Sequence, residues 1–334
     1  MNYVSGFIGL VRRLYEWVSA PRTAYPRMPK VVSSGDLLLD RRREWALASA
    51  QEGFHQAAAE IYEQILERAP WWAIAWFELG REREQLGDIA GAIAAYEAAL
   101  ARDPGGLLAA DLKLAALGAR PVPAAPPPNY VAGLFDQYAD KFDKHLVETL
   151  EYRGPALLRL AIERAASRLK RPSRFRIAYD LGCGTGLMGV EMRRQCEAID
   201  GVDLSQKMID VAKSTGVYRN LDTGDVCRWL GASAAGVASL VMAADVFVYI
   251  GDLAPVFAES ARVLEPGGLF SFSVQKSEAA AYAVGDDMRF AHSTDYLRQL
   301  AADHGLEIVS IEEASTRLDR GEPVPGLVAV MSKA

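Results

Sequence analysis

The residues best placed to do chemistry are three aspartates set among glycines, Asp180, Asp203 and Asp225. The first opens the run Asp180-Leu181-Gly182-Cys183-Gly184-Thr185-Gly186, between a basic, β-prone segment (174–178) and a helical pattern expected over Leu187 to Cys196. A strand, a glycine-rich turn and a helix make half of a nucleotide-binding βαβ unit, and glycine lets the backbone approach a ligand where a Cβ would clash. Seventeen residues after Gly186, an expected second strand ends in Gly201-Val202-Asp203-Leu204-Ser205. A carboxylate there can accept both hydroxyls of a ribose. Dinucleotide sites share this spacing, but three features point elsewhere. The run lacks the Gly-x-Gly-x-x-Gly order typical of pyrophosphate binding; Asp180 would face a cationic ligand rather than a phosphate; and a third acid follows in Leu221-Asp222-Thr223-Gly224-Asp225-Val226. The competing reading of Asp180 and Asp203 is a helix N-cap.

These acids need strands to carry them. The pattern predicts strands at 177–179, 198–202, near 218–221, 240–243, 269–274, 307–311 and 327–331, with helices at 205–214, 253–264 and 295–304. Strands alternating with helices imply a parallel sheet covered on both faces, with ligands outside the carboxyl ends of the strands.

Upstream, residues 73–106 read Trp76-x2-Leu79-Gly80, Gly87-Asp88, Ala92-x3-Tyr96, Ala99 and Pro104, which is the tetratricopeptide pattern. Small residues at Gly80 and Ala92 let two helices approach, and Tyr96 fills the space between them. One period earlier Gly53, Ala58, Tyr62 and Pro70 stand in register, although Arg42 and Trp45 break the pattern. The reading is two repeats plus a capping helix over 107–117, together spanning 39–118, followed by a proline-rich extended linker at 119–129 and a second domain over 130–334. The repeats serve either as a docking groove for peptide or protein, or as an assembly element. Residues 1–38 hold a connector and an amphipathic helix pattern at 3–18, expected to pack on a neighbouring domain or subunit, with membrane-surface contact as the alternative.

Composition narrows the class. A net charge of −6 gives no general pull toward nucleic acid or anionic lipid. Three cysteines without a CxxC pair argue for a reducing, cytoplasmic setting, and with four scattered histidines they offer no zinc-ligand spacing.

Taken together, Asp180–Gly186, Gly201–Ser205, Gly224-Asp225-Val226 and Leu264-Glu265-Pro266-Gly267-Gly268 resemble the motifs of class I S-adenosylmethionine-dependent methyltransferases, over roughly Tyr130 to Ala334. With the repeats, the chain is similar to bacterial predicted methyltransferases that carry tetratricopeptide repeats. The resemblance implies a Rossmann-like α/β domain with a mostly parallel seven-stranded sheet after an all-α repeat module. It also implies S-adenosyl-L-methionine as cofactor. Gly182, Cys183, Gly184 and Gly186 would wall the methionine and ribose, and Asp180 would hold the ammonium directly or through water. Asp203, with Leu204 beside it, would bind the ribose; Asp225, Val226 and Met208 would meet the adenine; and Ala243 would close the pocket from the fourth strand. An aromatic helix before the first strand would act as a lid, with Tyr138 and Phe142 as candidates and core packing as their alternative.

Methyl transfer from a sulfonium is an in-line displacement that relies on positioning, and a base is needed only for an acceptor that arrives protonated. The acceptor is expected near Asp245 and Tyr249, after the fourth strand. His292 is the best-placed histidine for a base, unless it merely precedes a helix cap, and Arg289 and Arg317 could pair with an acidic acceptor. Three functions stay open: methylation of an O, N or S atom of a small molecule, methylation of a protein recruited by the repeats, and a non-catalytic cofactor-binding scaffold.

Overall fold

The computed structural model describes residues 33–138, 152–279, 281–319 and 321–334. The segment 3–18 and Phe142 lie outside them. The described chain divides into two compact units, with the change of unit falling between residues 123 and 131.

The first unit is helical: α1 (Leu37–Gln51), α2 (His55–Arg68), α3 (Ala73–Gln85), α4 (Ile89–Arg102) and α5 (Ala110–Ala116). Two helical hairpins result, α1–α2 and α3–α4, closed by Gly53 and Gly87 in the left-handed region. A Cβ on Gly80 would lie 2.7 Å from the Tyr96 ring, so the glycine is what allows α3 and α4 to meet there. Ala46 and Tyr62, one period earlier, are both wholly buried in the core of the first hairpin, with alanine in place of glycine. Trp45 does not take the core position expected for a leucine and is 63% exposed. Polar groups are interred too: Glu78 accepts from both Arg43 and Arg81, and Glu82 pairs with His55 at 2.7 Å.

Two features of the linker region depart from expectation. The capping helix starts only at Ala110, after Ala109 in a left-handed conformation, and the extended stretch ends early, because Pro128 already stands in α6 (Pro128–Tyr138). Proline suits a first helical turn, where its missing N–H costs nothing.

The second unit is a sheet wrapped by helices. After α7 (Gly154–Arg168) come β1 (Phe175–Leu181), α8 (Leu187–Met192), β2 (Cys196–Asp203), α9 (Gln206–Ser214), β3 (Asn220–Thr223), α10 (Val226–Ala232), β4 (Ala238–Ala243), α11 (Ala254–Val263) and β5 (Leu264–Lys276). Then follow β6 (Tyr282–Val284), β7 (Phe290–His292), α12 (Thr294–Asp303), β8 (Leu306–Glu313), the small pair β9 (Leu318–Asp319) and β10 (Glu322–Pro323), and β11 (Gly326–Lys333). The main sheet runs β3-β2-β1-β4-β5-β11-β8, parallel through β5, with β11 antiparallel to both its neighbours. Strand order reverses between β1 and β4, which opens a crevice outside their carboxyl ends. Alternate residues of β1 feed two cores: Ile177, Tyr179 and Leu181 face one layer, and Ala178 faces the other with Leu240 and Met242.

The sheet is larger than expected. Among the described residues it has nine strands, because β7 joins the carboxyl end of β5 in parallel (Gln275 beside Ala291) and β6 folds back on β7. At three residues each, these strands are too short to show an alternating pattern in sequence. Three element bounds also shift. The helix expected to Cys196 ends at Met192, since Cys196 already pairs with Phe175 in the sheet. The third strand lies at 220–223 rather than 218–221, freeing Tyr218 for the site below, and Leu264 belongs to β5 rather than to the preceding helix.

Candidate cofactor and acceptor site

The glycine run leaves β1 and turns sharply into α8. Gly182, Gly184 and Gly186 have φ of +60°, +53° and +96°, a region that costs residues with a Cβ about 1 kcal/mol or more. At Gly182 space is closed as well, since a Cβ would lie 2.6 Å from Val246. Cys183 is buried and its amide donates to Val202 O at 3.0 Å, tying the loop to β2.

Asp203 ends β2 directly beside this loop. One carboxylate oxygen accepts from Gly184 N at 2.9 Å and the other from Ser205 N at 2.8 Å. A carboxylate offers about four acceptor sites, so these bonds leave capacity for a ligand hydroxyl. Burial raises its pKa, while the backbone amides of Ser205, Gly184 and Leu204 act in the opposite sense. Ser205, rather than Asp203, caps α9, and its hydroxyl also reaches Asp136 on α6 at 2.5 Å.

Asp180 is deeper, at 1% exposed. Its Oδ2 accepts from the Tyr218 hydroxyl at 2.6 Å. Burial pushes its carboxyl up to about 7, against the pull of that hydroxyl and of the Gly189 amide. Neither Asp180 nor Asp203 is paired with Lys or Arg among the described residues. Two carboxylates without cations beneath a glycine loop suit a ligand with hydroxyls and positive charge, and would repel a phosphate. The donor set therefore fits an S-adenosyl cofactor.

The other expected cofactor residues are divided between core and surface. Met208 and Ala243 are both wholly buried in the protein interior, which leaves no face for adenine. Asp225 is exposed and caps α10, accepting from Arg228 N at 3.0 Å, with buried Val226 next to it. Leu204 is half-buried beside Asp203, and Tyr138 closes α6.

The expected catalytic residues are also redistributed. His292 is wholly buried on β7, with Nε2 3.0 Å from Gly251 O. A carbonyl only accepts, so Nε2 carries the proton; Nδ1 is buried and finds no hydrogen-bond partner among the described residues. Burial lowers the pKa to about 4, so the ring is neutral and sealed, a packing element stacked on Tyr296 rather than a base. Asp245, with φ of +57°, accepts three side-chain hydrogen bonds, from Ser273 Oγ at 3.1 Å, Thr316 Oγ1 at 2.9 Å and Arg317 Nη1 at 3.2 Å. That ion pair removes Arg317, 5% exposed, from any acceptor. Tyr249 stays half-buried, with Phe135 edge-on at 5.3 Å and the Arg289 guanidinium 5.8 Å from its ring centre.

His292 makes a pH prediction. Between about 4 and its ordinary value near 6.5 the unfolded chain binds a proton that the fold refuses, so stability is complete above that window and falls as pH drops through it, by up to ~3 kcal/mol. The raised carboxyl of Asp180 acts in the opposite direction, so the comparison must be made between variants. His292→Phe should lose less stability than the native chain between pH 7.5 and 5 in urea unfolding, with S-adenosylhomocysteine affinity unchanged. A histidine that held the cofactor would not leave that affinity intact.

Residues 179–272 match the family model described as a methyltransferase domain, and residues 73–105 match the tetratricopeptide repeat. The chain carries a class I methyltransferase domain and a tetratricopeptide repeat. Among curated relatives of the methyltransferase part, a ubiquinone biosynthesis O-methyltransferase of Caulobacter vibrioides is 29% identical over 125 residues, 35% of this chain and 50% of that protein. Human methyltransferase-like protein 27 is 35% identical over 88 residues, 26% of this chain and 34% of that protein. The chain thus spans half the length of the first and about a third of the second. A Burkholderia thailandensis 1,6-didemethyltoxoflavin-N1-methyltransferase structure aligns over 64% of this chain and 93% of that one, at 19% identity and a TM-score of 0.47. Among the described residues no helix is long and apolar enough to cross a membrane.

The sequence reading missed Asp136, Tyr218 and the partners of Asp245. Asp136 stands in the aromatic segment already suspected of lid function, so it was within reach. Tyr218 gave no signal, because its partner Asp180 is 38 residues away.

Proposed function

We propose that the methyltransferase domain binds S-adenosyl-L-methionine and transfers its methyl group to an O, N or S nucleophile of a small-molecule acceptor. The observation that carries this reading is Asp203: a carboxylate held by the backbone amides of Gly184 and Ser205 beside a left-handed glycine loop. The cofactor, when bound, supplies an electrophilic methyl group. The chain's own part is to orient the ribose through Asp203, to keep negative charge under the loop through Asp180, and to present an aromatic edge, Phe135 and Tyr249, to the acceptor. No general base is required of His292 or Asp245, so an acceptor that reaches the site already deprotonated, or intrinsically nucleophilic, fits best. The ubiquinone biosynthesis O-methyltransferase similarity favours a small acceptor. The three free cysteines accord with a reducing, cytoplasmic setting.

The second reading, a protein acceptor or partner recruited by the repeats, is favoured by Trp45, Phe54 and Trp71, which are 63%, 60% and 59% exposed on the helical unit. One experiment separates the two: incubating the full chain with methyl-labelled cofactor and cell extract, then sorting label by mass. Label in small molecules supports the first reading. Label in protein that disappears with Trp45→Ala/Trp71→Ala supports the second. Absence of S-adenosylhomocysteine binding in calorimetry would reject both.

A further inference from the structure

Tyr218 sits where three separate elements give way to it. Its ring packs against Gly186 of the loop, Gly189 of α8 and Gly201 of β2. A Cβ would come to 3.1 Å from the ring at Gly186 and 2.9 Å at Gly201, and at Gly189 it would run into the phenol itself. The ring thereby reaches Asp180, and its hydroxyl donates to Oδ2 at 2.6 Å. Gly189 lies outside the motifs that marked this site, and all three nearest contacts of a Cβ there would be with the tyrosine.

We propose that Tyr218 is a positioning residue of the cofactor site, whose phenol fixes the orientation and the negative charge of Asp180 beneath the glycine loop. This rests on the cofactor reading above. A hydroxyl that donates to a carboxylate favours the charged form, whereas burial favours the neutral acid. Asp180 stands near that balance at neutral pH. The titratable groups that face it are Tyr218 itself, Asp203 at the end of β2, Cys183 on the loop, Cys196 at the start of β2, and Tyr152 ahead of α7. Burial raises the pKa of both thiols and both phenols, so these stay neutral between pH 5 and 9. Asp203 already carries the two amide bonds that favour its anion. The phenol is therefore the one neutral side chain that donates to Asp180 among these groups.

The test is calorimetric titration of the full chain with S-adenosylhomocysteine from pH 6 to 9. In the native chain affinity rises with pH and levels off near 7. Tyr218→Phe keeps the ring in its cradle and removes only the hydroxyl. It should move that break about one pH unit upward, giving about tenfold weaker binding at pH 6 and a gap that closes above pH 8. On an Asp180→Asn background, adding Tyr218→Phe should change affinity by less than about twofold, because the carboxylate through which it acts is gone. A constant gap at all pH values, or binding indistinguishable from native, would overturn the proposal while leaving the cofactor reading intact. A native chain that does not bind S-adenosylhomocysteine would overturn both.

Discussion

Asp203→Ala should weaken S-adenosylhomocysteine binding by at least about 100-fold. Hydrogen bonds to a charged group contribute about 1.5–3 kcal/mol each, so two ribose hydroxyls on one carboxylate stand for ~3–6 kcal/mol. The lost carboxylate also releases the amides of Gly184 and Ser205, which it now holds at 2.9 and 2.8 Å, and the loop loses its tie to β2 at that point. Asp203→Asn separates the two contributions. An amide oxygen can still accept from one backbone amide, but the site loses its charge and gains a donor that meets another donor. We expect it to fall between the native chain and the alanine variant. Titration calorimetry checks both; an Asp203→Ala chain of native affinity would remove the observation on which the proposed function stands.

Phe270→Ala should lower the stability of the methyltransferase unit by ~3–5 kcal/mol, the usual cost of emptying a buried aromatic site. Phe270 is wholly buried on β5, with ring centres of Phe272, Phe257 and Phe247 at 4.7, 5.2 and 6.1 Å. The three rings that remain cannot collapse into the space Phe270 leaves without disturbing their own tilted and edge-to-face contacts. For a unit of this size the loss corresponds to a fall of about 8–15 °C in melting temperature, measured by circular dichroism. A change of only a degree or two would mean that the cluster repacks.

Much of this arrangement follows from short-range features of the sequence. Glycine at three alternate positions after a strand announces the left-handed turn, and the spacing to Asp203 places that acid on the next strand. Gly80 and Tyr96 announce two helices in contact, since small and large residues at that spacing complement each other. What escaped has a common cause: it depends on neighbours far away in the chain. His292 looks like a base until β7 is seen to bury it against Gly251, and Asp245 looks free until Thr316 and Arg317 arrive from beyond β8. Met208 has the periodicity of a helix face, and periodicity does not distinguish a face on the core from a face on a ligand. The bounds of α8 and β3 were misjudged because a six-residue helix and a four-residue strand carry little pattern of their own.

The position of β11 bears on the order in which the chain is made. β8 lies at the far end of the main sheet and joins it only through β11, which is inserted between β5 and β8. During synthesis β1 to β5 can assemble as each strand emerges, but β8 must wait beside an empty slot until residues 326–333 leave the ribosome. Until then the β11-facing edge of β5, with buried Phe270 and Phe272, is an open strand next to exposed aromatics. A nascent chain stalled before residue 326 should accordingly be a chaperone client, and the released 334-residue chain should not.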